Sequence, residues 1–148
     1  MERLLLAVDG SAHADRAATL AGHLSAGLGA VTDVLHVIAD RSVDLSGGVA
    51  YYGDLEQVYG ARREAEREAG IRIADEAAKL VVAAGGAVGT VDVAIGNPAV
   101  AIVETADASD ADAIVMGRRG RGDVAGLFMG SVSHKVAHLT GRTLITTE

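Results

Sequence analysis

The stretch Leu4-Leu5-Leu6-Ala7-Val8-Asp9-Gly10-Ser11 decides the fold class. Five apolar residues without a polar interruption are what a parallel strand buried on both faces needs, since a strand with one wet face would alternate. Asp9-Gly10-Ser11 ends the run with turn-forming residues, and the period then changes. Over residues 13–28, Ala14, Ala17, Ala18, Ala21, Leu24 and Leu28 fall on one helical face, and Gly27 and Gly29 supply a stop. A second strand, Val31 to Ile38, carries Val34, Leu35, Val37 and Ile38. Strand, helix and strand in this order form a βαβ unit, whose crossover makes the two strands parallel.

The alternation continues along the chain. Residues 39–53 hold Asp40, Asp44, Ser46, Gly47, Gly48 and Gly53 with no period and read as a loop, long enough to be functional. A long helix is expected over 54–84, with Val58, Ala61, Ala65, Ala69, Ile73, Ala77, Leu80 and Ala84 on one side. Glu64, Glu66, Arg67 and Glu68 form its solvated face, and Gly85-Gly86 end it. Residues 88–95 give a third strand. Gly96-Asn97-Pro98 then combines a turn, an N-cap and a proline at the first helical position. Ala99, Ile102, Val103 and Ala106 follow at helical spacing, Asp112 to Met116 is a fourth strand, and a glycine-rich stretch runs from Gly117 to Gly130. Val132, Val136 and Leu139 mark a last helix, and Thr143 to Thr147 a last strand. Five strands alternating with four helices predict an α/β fold over residues 1–148, a single domain with an open five-stranded parallel sheet and helices on both faces.

Composition narrows the function. The 148 residues are 49% hydrophobic and 22% charged, which excludes disorder. There is no cysteine, so disulfides, thiolate metal sites and cysteine nucleophiles are excluded. Thirteen Lys and Arg against twenty Asp and Glu give a net charge of −7, contrary to what a nucleic-acid or anionic-membrane binder needs. An anionic ligand must then be held by local geometry. Aromatics are only 3%, Tyr51, Tyr52, Tyr59 and Phe128, so base-stacking platforms are not expected. The Tyr51-Tyr52 pair reads as local packing. The apolar run at residues 4–8 is too short for a signal-peptide core, and no segment has the length of a membrane span, so a cytoplasmic protein is expected.

Open parallel sheets bind ligands at the carboxyl ends of their strands, where the winding reverses. That rule places Asp9, the Val37 region and Gly117 onward on one edge. The segment Met116-Gly117-Arg118-Arg119-Gly120-Arg121-Gly122-Asp123, continuing to Gly126, Gly130 and Ser131, leaves a buried strand and enters a helix. Glycines let backbone N–H groups approach an anion, the helix start adds unpaired donors, and three arginines add charge. The combination fits a phosphate. It is not a P-loop, because Asp123 and Val124 stand where Lys and Ser or Thr are required, and Gly10 lacks the companion glycines of a dinucleotide fingerprint.

The segment resembles the universal stress protein family in its ATP-binding branch. The family loop reads Gly, two residues, Gly, nine residues, Gly and Ser or Thr, and Gly117, Gly120, Gly130 and Ser131 match it. Residues 4–11, Leu35-His36-Val37, Gly96-Asn97-Pro98, 113–117 and Gly130-Ser131-Val132-Ser133 look like the family's further blocks, in family order. The resemblance implies a Rossmann-like domain of the adenine-nucleotide-binding type, a homodimer, and ATP with Mg²⁺ between its phosphate oxygens. It implies that Asp9 accepts from the ribose or adenine side, that Val37 meets the adenine, and that Met116, Gly117, Arg119 and Gly120 wrap the ribose and phosphates. Gly130, Ser131, Val132 and Ser133 would hold the terminal phosphates. The expected role is a nucleotide-dependent regulatory module of the stress response with at most slow hydrolysis. Where the family often enters its last strand through Cys-Pro-Val, this chain has Gly141-Arg142-Thr143-Leu144-Ile145, a departure at the strand through which the family often dimerises.

Alternatives have their own signatures. Enzymes of the same fold group that work through adenylates carry His-x-Gly-His or Ser-Gly-Gly-x-Asp-Ser after the first strand, where this chain has Asp9-Gly10-Ser11-Ala12-His13. Ser46-Gly47-Gly48 lies after the second strand and lacks the rest of the latter motif. A dimeric stress protein without nucleotide would not be expected to keep the glycine spacing. Asp9 and Ser131 also suit plain helix caps. His36 reads as a hydrogen-bonded core residue, and His13 and His23 as surface. His134 and His138, four apart, have a spacing that can bind zinc, but without a third ligand nearby they read as a solvated helix face.

Overall fold

The computed structural model describes residues 1–40, 55–119 and 130–148. The element order is β1 (Arg3–Val8), α1 (Ala12–Leu28), β2 (Val31–Ala39), α2 (Leu55–Ala83), β3 (Ala87–Gly96), α3 (Pro98–Ala108), β4 (Ala113–Gly117), α4 (Ser131–Leu139) and β5 (Thr143–Thr147). All neighbouring strands pair parallel, in the order β3-β2-β1-β4-β5. The expected loop over 39–53 lies outside the described residues from 41 onward, as do 120–129 of the glycine-rich stretch.

β1 is the central strand, and its parity sorts the molecule into layers. Leu6 and Val8 face α1 and α2, packing with Ala14, Ala17, Ala18, Ala21, Val34, Ala74, Ala77, Val81 and Val115. Leu5 and Ala7 face α3 and α4, with Leu35, Ala99, Ile102, Ala106, Ile114, Met116 and Val136. Leu4, Leu5 and Leu6 have no exposed surface, as the unbroken apolar run requires. Small residues let the helices come close. A Cβ on Gly22 would lie 2.5 Å from the Val81 carbonyl and 2.6 Å from Ala84 Cβ, so α1 and α2 cross backbone to backbone there.

Two buried polar groups fix the strand starts. Ser25 Oγ donates to the Ala30 carbonyl at 2.6 Å and accepts from Ala87 N–H at 2.9 Å, tying the end of α1 to β3. Asp33, buried inside β2, accepts from Thr90 N–H at 2.8 Å and from Arg3 at 2.6 Å. A Cβ on Gly89 would strike Asp33 Oδ1, so that glycine makes room for the carboxylate.

The structure corrects the reading at three places. In α2 the buried stripe is Gly70, Ala74, Ala77 and Val81, rotated from the expected one, and residues 60–68 are exposed throughout. The reason is steric: a Cβ on Gly70 would lie 2.9 Å from His36 Cδ2, so the helix sits on its smallest residues and Ile73 and Leu80 flank the contact. Leu28 and Leu139, assigned to buried faces, are more than half exposed at their helix ends. β4 starts one residue late, because Asp112 is used as a clasp: its carboxylate accepts from the Glu2 and Arg3 N–H groups and its own N–H donates to the Arg3 carbonyl. No described helix is long and apolar enough to cross a membrane.

Candidate functional site at the carboxyl ends of β1 and β4

β1 and β4 lie side by side, Leu4 opposite Ala113 through Ala7 opposite Met116. The chain leaving β1 turns into α1 on one face of the sheet, and the chain leaving β4 leads to α4 on the other. The two exits diverge, and a cleft opens between them, as expected at the switch point of a doubly wound sheet.

On the β1 side the exit is a tight turn. Gly10 adopts φ +76°, a conformation that favours glycine, and Asp9 Oδ1 accepts from Ser11 N–H at 3.0 Å. Ser11, not Asp9, caps α1: its hydroxyl accepts from Ala14 N–H at 3.2 Å. Asp9 is left at the cleft wall, half-buried. Beside it His36 is a core residue as read, with Nδ1 donating to the Val8 carbonyl at 2.8 Å, and Val37 follows at the end of β2.

On the β4 side the stretch to α4 is closed at its base by one carbonyl. The Arg118 carbonyl accepts from Gly130 N–H at 2.8 Å and from Ser133 Oγ at 2.7 Å, while Arg118 N–H donates to the Thr147 carbonyl at 2.7 Å. Ser133 Oγ also reaches the Gly130 carbonyl, so its proton is committed to the loop base. Gly117 has a packing reason of its own: a Cβ there would lie 2.8 Å from His13 Cβ. α4 is capped by Gly130 with no side-chain hydrogen bond, so Ser131 is the first helical residue and not the cap. The N–H groups of residues 131–133 thus have no partner within the helix, and they carry its positive dipole end.

Of the sequence-derived site residues, Asp9, Val37, Met116 and Gly117 line this cleft together with Arg119, Gly130, Ser131, Val132 and Ser133. Gly120 lies outside the described residues. Arg119 is half-buried with its Nε shielded from solvent and without a hydrogen-bond partner among the described residues. Such a donor in a cleft wall is costly unless an acceptor is supplied. Across from the donors the wall is apolar: Ala7, Leu35, Pro98 and Ile102 were named from the sequence as strand and helix residues but not as site residues. Their signal was available in the strand period, since Ala7 and Leu35 sit two residues before Asp9 and Val37 and so share their side of the sheet. One end of the cleft is thus suited to a flat apolar group, the other to an anion, with a carboxylate between the strand ends.

Similarity to known proteins agrees with this architecture. Residues 1–142 match the family described as Usp, universal stress protein family. A Thermus aquaticus protein, the universal stress protein in the QAH/OAS sulfhydrylase 3′ region, is 37% identical over 136 residues, covering 90% of this chain and 88% of its own. UspA from Lactobacillus plantarum superposes with a TM-score of 0.81 at 21% identity, covering 99% of this chain and 97% of its own. A universal stress protein in complex with cAMP matches with TM-score 0.67 at 24% identity, over 99% and 96% of the two chains. The Archaeoglobus fulgidus protein in complex with dAMP matches with TM-score 0.65 at 21% identity, over 100% and 98%. With the doubly wound sheet and the family match spanning nearly the whole sequence, the chain belongs to the universal stress protein family.

Proposed function

We propose that the cleft binds an adenine nucleotide, ATP with Mg²⁺, and that the protein is a nucleotide-dependent regulatory module of the stress response with at most slow hydrolysis. The observation that carries this reading is the convergence, in one cleft, of the start of α4, which no side chain caps, and the Arg119 Nε, which has no partner among the described residues. Both call for an anion, and a phosphate chain satisfies both. The apolar wall by Val37, Leu35, Pro98 and Ile102 suits an adenine, and Asp9 suits ribose hydroxyls. That two solved family members were captured with cAMP and dAMP supports an adenine ligand.

Among the described residues no three His, Cys, Asp or Glu side chains gather into a metal cage. Mg²⁺ would lie between the phosphate oxygens, since it is commonly held by phosphates and water with few protein ligands. Asp9 already accepts from Ser11 N–H and is poorly placed as a general base, hence slow turnover at most. The exposed edge of β5 is where a second copy would add to form a homodimer.

The test is to purify the protein without added nucleotide, denature it and identify the released small molecule by liquid chromatography and mass spectrometry, then titrate ATP with Mg²⁺. Binding of ATP is expected, weakened about tenfold or more in Arg119→Gln, while adenosine binds both forms alike. Equal ATP affinity in the variant would remove the arginine from the site. No binding of any adenine nucleotide at millimolar concentration would overturn the reading.

A further inference from the structure

We propose that the outer face of α4 carries a divalent transition-metal site made by His134 and His138. Their spacing shows only that the two rings share a helix face. The structure adds that they converge: Nε2 of one lies 3.3 Å from Nε2 of the other, with ring centroids 4.5 Å apart and planes edge-on at 72°. Two imidazole nitrogens bound to one tetrahedral zinc at its usual bond lengths are about 3.3 Å apart. The pair therefore already stands at the separation that a shared ion imposes.

At this distance the two nitrogens share a hydrogen bond, one ring donating and the other accepting, so a lone pair already points into the space between them. Once the donating ring carries its proton on Nδ1 instead, both Nε2 lone pairs are available to an ion held beside the line that joins the two nitrogens. Both rings are exposed, so entry is open. His138 lies in the last turn of α4, where unpaired carbonyls favour a cation, and the chain's charge of −7 acts in the same direction. Imidazole nitrogens select Zn²⁺, Ni²⁺ or Cu²⁺ over the hard cations Mg²⁺ and Ca²⁺. No third His, Cys, Asp or Glu joins the pair among the described residues, so water completes the shell and the site is one of moderate affinity. Bridging i to i+4, the ion staples one turn of the helix whose first residues line the cleft, and it stabilises the folded form by mass action.

Neither histidine lines the cleft, so this inference stands apart from the nucleotide reading. The test is titration of the full chain, without nucleotide, with ZnCl₂, followed by calorimetry and by the histidine ring resonances in NMR. One Zn²⁺ per chain is expected, moving the rings of 134 and 138 and not those of His13, His23 and His36, with MgCl₂ giving no response. His134→Gln or His138→Gln should each weaken uptake at least tenfold, and the double variant should abolish it with far-ultraviolet dichroism unchanged. Uptake undiminished in the double variant, a response at the other histidines, or no uptake at millimolar zinc would overturn the proposal.

Discussion

Asp33 shows how one residue can be unreadable from sequence and still govern stability. The one acid in β2 carries no signal that a glycine two strand positions into β3 makes room for it, or that Arg3 reaches across from β1. Burial by itself pushes its carboxyl up, but the Thr90 N–H and the Arg3 guanidinium outweigh burial and hold it below the ordinary value. A folded carboxyl that ionises at lower pH than the unfolded one contributes stability above about pH 4, which is lost as pH falls through the folded value. Asp112 adds to the same slope, held down by the Arg3 and Glu2 N–H groups. Asp33→Asn should therefore cost about 1–3 kcal/mol at pH 7 and flatten the loss of stability between about pH 5 and pH 3. Urea unfolding across that range checks it; a variant curve parallel to the wild type would contradict the assignment.

At the scale of elements, the patterns identified every strand and helix that the described residues contain, because Leu4–Val8 is too short for a helix and ends in turn residues, and the alanine stripe of α1 keeps a helical period. Faces were less legible than elements. The α2 stripe came out rotated because its packing is set by where glycine permits contact, and a hydrophobicity pattern does not register Gly70 or Gly22 as contact residues. The α1–α2 crossing makes this testable. Gly22→Ala gains at most about 1 kcal/mol in helix propensity, while its new methyl must displace the Val81 carbonyl, an overpacking cost of about 1–3 kcal/mol. The net expectation is a lower urea midpoint, and a raised midpoint would show that the helices can separate freely.

For the whole molecule, the site is a consequence of topology. Reversal of winding between β1 and β4 opens the cleft, and the strand-end rule, the glycine-rich stretch and the family resemblance together named nine of the residues that line it. The sequence did not assign the apolar wall to the site, because the wall is assembled from β1, β2 and α3, which only the fold brings together. It also did not separate the residues facing a ligand from those serving the scaffold. Ser133 holds the loop base and Gly117 admits α1, and both tasks become visible only when distant segments are brought together. The most direct test of the proposal that the cleft takes a nucleotide is an NMR titration of the backbone amides with ATP and Mg²⁺. Saturable shifts are expected, centred on residues 130–133 at the start of α4, with Asp9 and Val37 following at the same concentrations. Saturable shifts confined to another surface, or none at millimolar ATP, would contradict it.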